Sequence, residues 1–183
     1  MAKVSRIRPM TVEDLYGPDV PEKFTELIAG ELVLSVRAGY RHVRTAKNLA
    51  RIFEKFCAER SNLEYFGDSI GFLIQRDPDT VLSPQAALLR SRESGEDPWV
   101  PFAPDLAVEI LTLSNSHAEM AYKRHQYFEA GAEQFWLVDP QEMNIQFFFR
   151  DGRCIAASDG ETIEGEGIAA RMKIGLTEVF RGK

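Results

Sequence analysis

Glu109 stands in an otherwise apolar run, Leu106-Ala-Val-Glu-Ile-Leu111. A carboxylate in such a run costs several kcal/mol when buried unless it is paired or holds a cation. Two arrangements meet that cost: a structural ion pair, or an acid placed for metal-assisted chemistry. Lys123 lies in the next periodic segment, with Glu119 one helical turn before it and Tyr127 one turn after. Taken alone, that spacing predicts a solvated lysine paired with Glu119. Asp105 shares a strand face with Glu109, yet four strand residues separate them by ~13 Å, too far for one metal ion. Because it follows Pro104, Asp105 reads as a turn-forming residue at the strand entrance. Glu26 and Glu31 flank an Ala29-Gly30 turn, and an acid there facing the first long helix could add a ligand to a nearby metal. His42, His117 and His125 lack metal-ligand spacing on a shared face, so surface or packing roles are expected. No glycine-rich phosphate loop, nucleophile elbow or Cys/His pair of the usual spacing appears. What is left is carboxylate–lysine chemistry, or none.

These residues need elements to position them. Asp105 to Leu111 is continuously apolar apart from its acids, as in a strand covered on both faces. Ser116-His-Ala-Glu119 is a capping box that opens a helix, and Gly131 closes it. Gln134 to Val138 is the next strand, ended by Asp139-Pro140. Strand, crossover helix and strand together predict parallel or mixed pairing. Upstream, Thr11 caps a short turn over residues 12–15, and Gly17, Pro18 and Pro21 then break the chain. Phe24 to Ile28 and Glu31 to Val36 form a tight hairpin. From Arg41 to Arg60, Val43, Ala46, Leu49, Ala50, Phe53, Phe56 and Cys57 recur at helical spacing. Leu63 to Phe66 and Ser69 to Gln75 read as strands, and Val81 to Leu89 as one further apolar run. Residues 90–104 form a loop. Asn144 to Arg150 and Arg153 to Ala157 flank Asp151-Gly152, a strong hairpin signal, and a short run ends at Phe180. The expected class is α/β, or α+β, with a mixed central sheet flanked by helices and added N-terminal and C-terminal hairpins, one domain over residues 1–183.

The chain has 183 residues, 44% of them hydrophobic and 27% charged, enough for a sizeable core. A net charge of −6 counts against a dedicated module that grips nucleic acid through a basic stripe. It leaves room for an enzyme that touches nucleic acid locally. Arg37, Arg41, Arg44, Lys47 and Arg51 read as a solvated helix face. Cys57 and Cys154 lie far apart, as reduced thiols of a cytoplasmic protein would. No stretch approaches the ~20 apolar residues of a membrane span, and no apolar segment follows the basic residues of Met1 to Met10. A cytoplasmic protein without a membrane partner is expected.

Ala103-Pro-Asp-Leu-Ala-Val-Glu-Ile-Leu111, Ser114-Asn-Ser116, Lys123 with Tyr127, Ala130-Gly131 and Phe135-Trp-Leu-Val-Asp-Pro140 stand in a distinctive order. With Glu26-Leu-Ile-Ala-Gly-Glu-Leu32, His42 and Gly71-Phe72, they resemble the Uma-type family of restriction-endonuclease-like proteins, within the PD-(D/E)XK nuclease superfamily. The resemblance runs from about residue 10 to residue 180. It implies a restriction-endonuclease-like mixed sheet, a divalent Mg²⁺ or Mn²⁺ held by acids on adjacent strands, and hydrolysis of phosphodiesters in nucleic acid, DNA first. Carried onto this chain, it makes Glu109, Lys123 and Gln85 the catalytic residues, with Glu109, Gln85 and Glu31 as metal ligands. The superfamily usually places its lysine two residues after the Glu, which here is Leu111; Lys123 matches the family's alternative on the following helix. Two departures stand out. Ser83-Pro-Gln85 has an amide where the family has its first metal acid, which removes a negative charge from a site suited to carboxylates. Thr112-Leu113 replaces a more usual Ser-Pro. Three readings follow: a metal-dependent nuclease, a weakened or inactive relative that binds nucleic acid or protein, and a structural dimer or regulatory subunit. A homodimer is expected, with Phe147-Phe-Phe149 as a candidate contact and core packing as its plainer role.

Overall fold

In the computed structural model, residues 8–18, 20, 25–34, 38–68, 70–93 and 95–182 are described. Features expected at Pro21, Phe24, residues 35–37 and Ser69 lie outside them. Thr11 caps α1 (Val12–Leu15) through a capping box with Asp14. The first hairpin is β1 (Thr25–Ile28) and β2 (Glu31–Leu34), turning at Ala29-Gly30, both with positive φ. The long helix α2 spans Tyr40–Ala58. Then come β3 (Leu63–Gly67), β4 (Phe72–Gln75), β5 (Thr80–Leu82) and β6 (Ala86–Arg90). The crossover unit is β7 (Leu106–Ile110), α3 (His117–Glu129) and β8 (Gln134–Asp139). The C-terminal part holds β9 (Asn144–Phe149), β10 (Cys154–Ser158), β11 (Thr162–Glu164), β12 (Lys173–Gly175) and α4 (Leu176–Arg181).

The central sheet runs β10-β9-β8-β7-β6-β3 and is mixed: β7 and β8 are parallel, and the other neighbours pair antiparallel. A second sheet runs β2-β1-β5-β4. The run expected from Val81 to Leu89 is therefore two strands in two sheets, broken at Ser83-Pro-Gln85. Apolar residues on both sides of Ser83-Pro-Gln85 concealed the break, because both halves are buried. The hairpin of β9 and β10 builds the far edge of the central sheet instead of being appended to it. The tail expected as one short run folds into a second small hairpin and α4.

Strand alternation divides the core between two helices. On β7, Leu106, Val108 and Ile110 face α2 together with Trp136, Val138, Phe147 and Phe149. Phe53 of α2 sits against Tyr65 and Trp136 at ring-centroid distances of 5.7 and 5.6 Å. Ala107, Phe135 and Leu137 face the other way, under Met120 and Tyr127 of α3. Both central parallel strands are buried on both faces, which is why they read as near-continuous apolar runs. Phe147 and Phe149 are core residues, with β10 lying outside them. Among the described residues, no helix is long and apolar enough to cross a membrane.

Candidate functional site

Alternation along β7 sends Glu109 to the α3 side of the sheet, opposite its apolar neighbours Val108 and Ile110. The capping box fixes where α3 begins: Ser116 Oγ accepts from Glu119 N–H at 3.1 Å, and Glu119 reaches back to Ser116 N–H. Two turns of that helix carry Lys123 and then Tyr127 over the strand. The third element arrives through the break at Ser83-Pro-Gln85. Because β5 pairs with β1 and β6 pairs with β7, these three residues bring the hairpin sheet against the central one. Glu26 of β1 then faces Glu109 across a single ammonium.

Lys123 Nζ donates to Glu26 Oε1 at 3.0 Å and to Glu109 Oε1 at 3.3 Å, and lies 2.8 Å from Glu26 Oε2. Tyr127 Oη donates to Glu109 Oε1 at 3.4 Å, and the Ser83 N–H to Glu26 Oε1 at 2.9 Å. All four side chains are buried, with relative exposures of 4% for Glu26, 2% for Glu109, 5% for Lys123 and 0% for Tyr127. Two carboxylates share one ammonium, so one negative charge is left over when both acids are ionised. Burial pushes the Glu109 carboxyl up to about 7, against the pull of Lys123, and the nearby Glu26 adds to the rise. Burial alone would draw the Lys123 ammonium down, but Glu109 and Glu26 overcome it and hold the lysine charged. Burial, with Glu109 beside it, raises the Tyr127 phenol, so it stays a proton donor.

The residues singled out in the sequence are not all drawn together. Glu109 and Lys123 meet directly. Gln85 lies at the same end of the sheet, where its Oε1 accepts from the Ile110 N–H at 2.8 Å, one residue past Glu109. Glu31 is exposed: it pairs with Ile28, two residues along β1 from Glu26, and it is Glu26 that reaches the lysine. Lys123 is turned inward and is not a solvated partner of Glu119, which serves the helix cap and Asn115. Asp105 accepts from Arg90 N–H and the Arg90 guanidinium at 2.8 and 2.7 Å, a structural role at the strand entrance. His117 and His125 are exposed; His42 is half-buried, and burial lowers its pKa. The sequence offered Glu26 and Glu31 together as turn-flanking acids, and of the two Glu31 was expected as the ligand; Tyr127 was placed one turn from Lys123 but given no role in the site. The signal for Glu26 was its place inside an apolar run, as for Glu109, whereas Glu31 directly follows the turn glycine. The signal for Tyr127 was its one-turn spacing from Lys123.

Among the described residues, no three His, Cys, Asp or Glu side chains gather so as to hold a metal ion. Glu26 and Glu109 nevertheless offer hard carboxylate oxygens. Mg²⁺ is commonly held by one or two carboxylates, with waters and substrate phosphates completing its shell. The donor set fits such a cation in chemical type.

Residues 11–174 match the Uma2 family, described as "Putative restriction endonuclease". The chain belongs to that family. The Uma2 match spans Glu26, Gln85, Glu109, Lys123 and Tyr127. A solved structure described as "a putative nuclease belonging to DUF820" from Anabaena variabilis ATCC 29413 is similar at a TM-score of 0.78 and 16% identity, covering 94% of this chain and 98% of that one. At that identity the likeness establishes a shared fold, which the Uma2 chain builds with its mixed sheet between α2 and α3. A comparison with curated proteins found no match.

Proposed function

We propose that this chain is a metal-assisted nuclease of the PD-(D/E)XK type, hydrolysing phosphodiesters in DNA, with a centre weakened at Gln85. The observation that carries the reading is the buried cluster of Glu26, Glu109 and Lys123 in a chain of a restriction-endonuclease family. Glu26 and Glu109 would hold Mg²⁺ or Mn²⁺, with Gln85 offering at most an amide oxygen. The exposed Glu31 stands further out, as a ligand only by way of water. When bound, the cation would supply Lewis-acid polarisation of the phosphodiester and a more acidic water. Lys123 supplies the positive charge that offsets charge developing on the phosphate oxygens, in surroundings where burial strengthens it. Tyr127 holds Glu109 through the same carboxylate oxygen that Lys123 contacts. A second copy of the chain completes the proposal, with exposed Leu32 and Leu34 on the sheet-edge strand β2 as the surface it would cover; sedimentation velocity would reveal a dimer.

Cleavage of supercoiled and linear duplex DNA with Mg²⁺ or Mn²⁺ tests the chemistry. Wild type should cut slowly and Glu109→Gln should fall at least ~100-fold, the scale on which one preorganised electrostatic group counts. Gln85→Glu should cut faster and bind Mn²⁺ more tightly, since one oxygen can keep the Ile110 N–H while the other adds charge. Equal cleavage by wild type and Glu109→Gln would sink the proposal. A second reading, a nuclease fold that binds nucleic acid without cutting it, is favoured by the Gln85 amide oxygen already being engaged by backbone. Duplex binding with no cleavage under either metal would select it.

A further inference from the structure

The centre already contains a cation. Lys123 Nζ lies within 3.3 Å of three carboxylate oxygens, both of Glu26 and one of Glu109. The same oxygens receive the other donors of the cluster, Ser83 N–H on Glu26 Oε1 and Tyr127 Oη on Glu109 Oε1. A divalent ion that used these two acids would therefore need positions the ammonium now fills, and would face a like charge at contact distance in a buried site. The lysine has a means of leaving: a compact charge on a flexible four-carbon stem, unlike a guanidinium locked in a planar fork.

We infer that Lys123 is the resident counter-ion of this site and competes with the divalent metal for the carboxylates of Glu26 and Glu109, so that metal binds only as the ammonium gives them up. The inference rests on the metal-assisted reading above and adds its order of events. Free protein holds metal weakly, because the ammonium must surrender its partners. A phosphate arriving with the metal offers the displaced lysine a new anion. Metal and nucleic acid then raise each other's affinity by the same factor.

The test needs no turnover. Lys123→Met keeps much of the stem and removes the charge; calorimetric titration with Mn²⁺ should show affinity tightened about tenfold or more over wild type, as expected when a unit charge at contact is removed. Thermal unfolding of the same sample reports whether the variant is folded. Independently of any variant, the buried ammonium of ¹⁵N-lysine-labelled wild type should give a protected Nζ–H signal by NMR. Titration with diamagnetic Mg²⁺ should abolish that signal at the concentration where calorimetry shows binding. A signal that persists unchanged at saturating Mg²⁺ overturns the competition, as does Mn²⁺ affinity that is equal or weaker in folded Lys123→Met. Metal binding that Glu109→Gln abolishes but Lys123→Met does not strengthen overturns this inference and leaves the metal-assisted reading standing. No metal binding by either protein overturns both.

Discussion

With its carboxyl pushed up to about 7, Glu109 binds its proton more tightly in the folded chain than in the unfolded one. Between its ordinary value of 4.5 and about 7, the native state therefore holds more protons, and stability must fall as pH rises. The contribution is complete below that window and spent above it. Lys123, held charged well past neutrality, takes no part in it. Urea denaturation across the window should show wild type losing stability relative to Glu109→Gln, with a slope approaching ~1.4 kcal/mol per pH unit; parallel curves would mean that Glu109 titrates normally. The importance of this acid was legible because a carboxylate in an apolar run is anomalous on its face. The inward turn of Lys123 was not, since Glu119 offered a sufficient partner one turn away and only the arrival of Glu26 from another sheet decides between them.

At the scale of elements, the capping box does more than start a helix. It sets the rotation of α3, and thereby which side chains meet Glu109. Ser116→Ala should cost about 1 kcal/mol in chemical denaturation, the usual value of an N-cap side chain, and should loosen the protection of the Lys123 ammonium seen by NMR. An unchanged lysine signal would show that β7 and β8, and not the cap, fix the helix. The box was readable from Ser116 and Glu119, and the parallel pairing of β7 with β8 followed from a strand–helix–strand order. The division between β5 and β6 was not readable. Apolar residues on either side of Ser83-Pro-Gln85 look alike whether they enter one sheet or two, and pairing partners distant in sequence settle which.

Across the whole molecule, the central sheet separates stability from chemistry. The larger buried cluster lies on its α2 side, around Phe53 and Trp136, and the charged centre lies on its α3 side. Phe53→Ala should lower stability by about 3–5 kcal/mol, the range for a large-to-small change in a core, while Mn²⁺ affinity of the folded protein stays the same. A parallel loss of metal affinity would show that the faces are coupled through Val108 and Ile110. At the site the chain passes from one sheet to the other through Ser83-Pro-Gln85, with its first residue bonded to Glu26 and its last to the strand of Glu109. Gln and Glu are the same length, and their codons differ by one base. A single nucleotide change would thus install a carboxylate on the loop without shortening the side chain that fastens it to β7. In a population of such genes, the step between a quiet centre and a more acidic one is among the shortest that mutation can take.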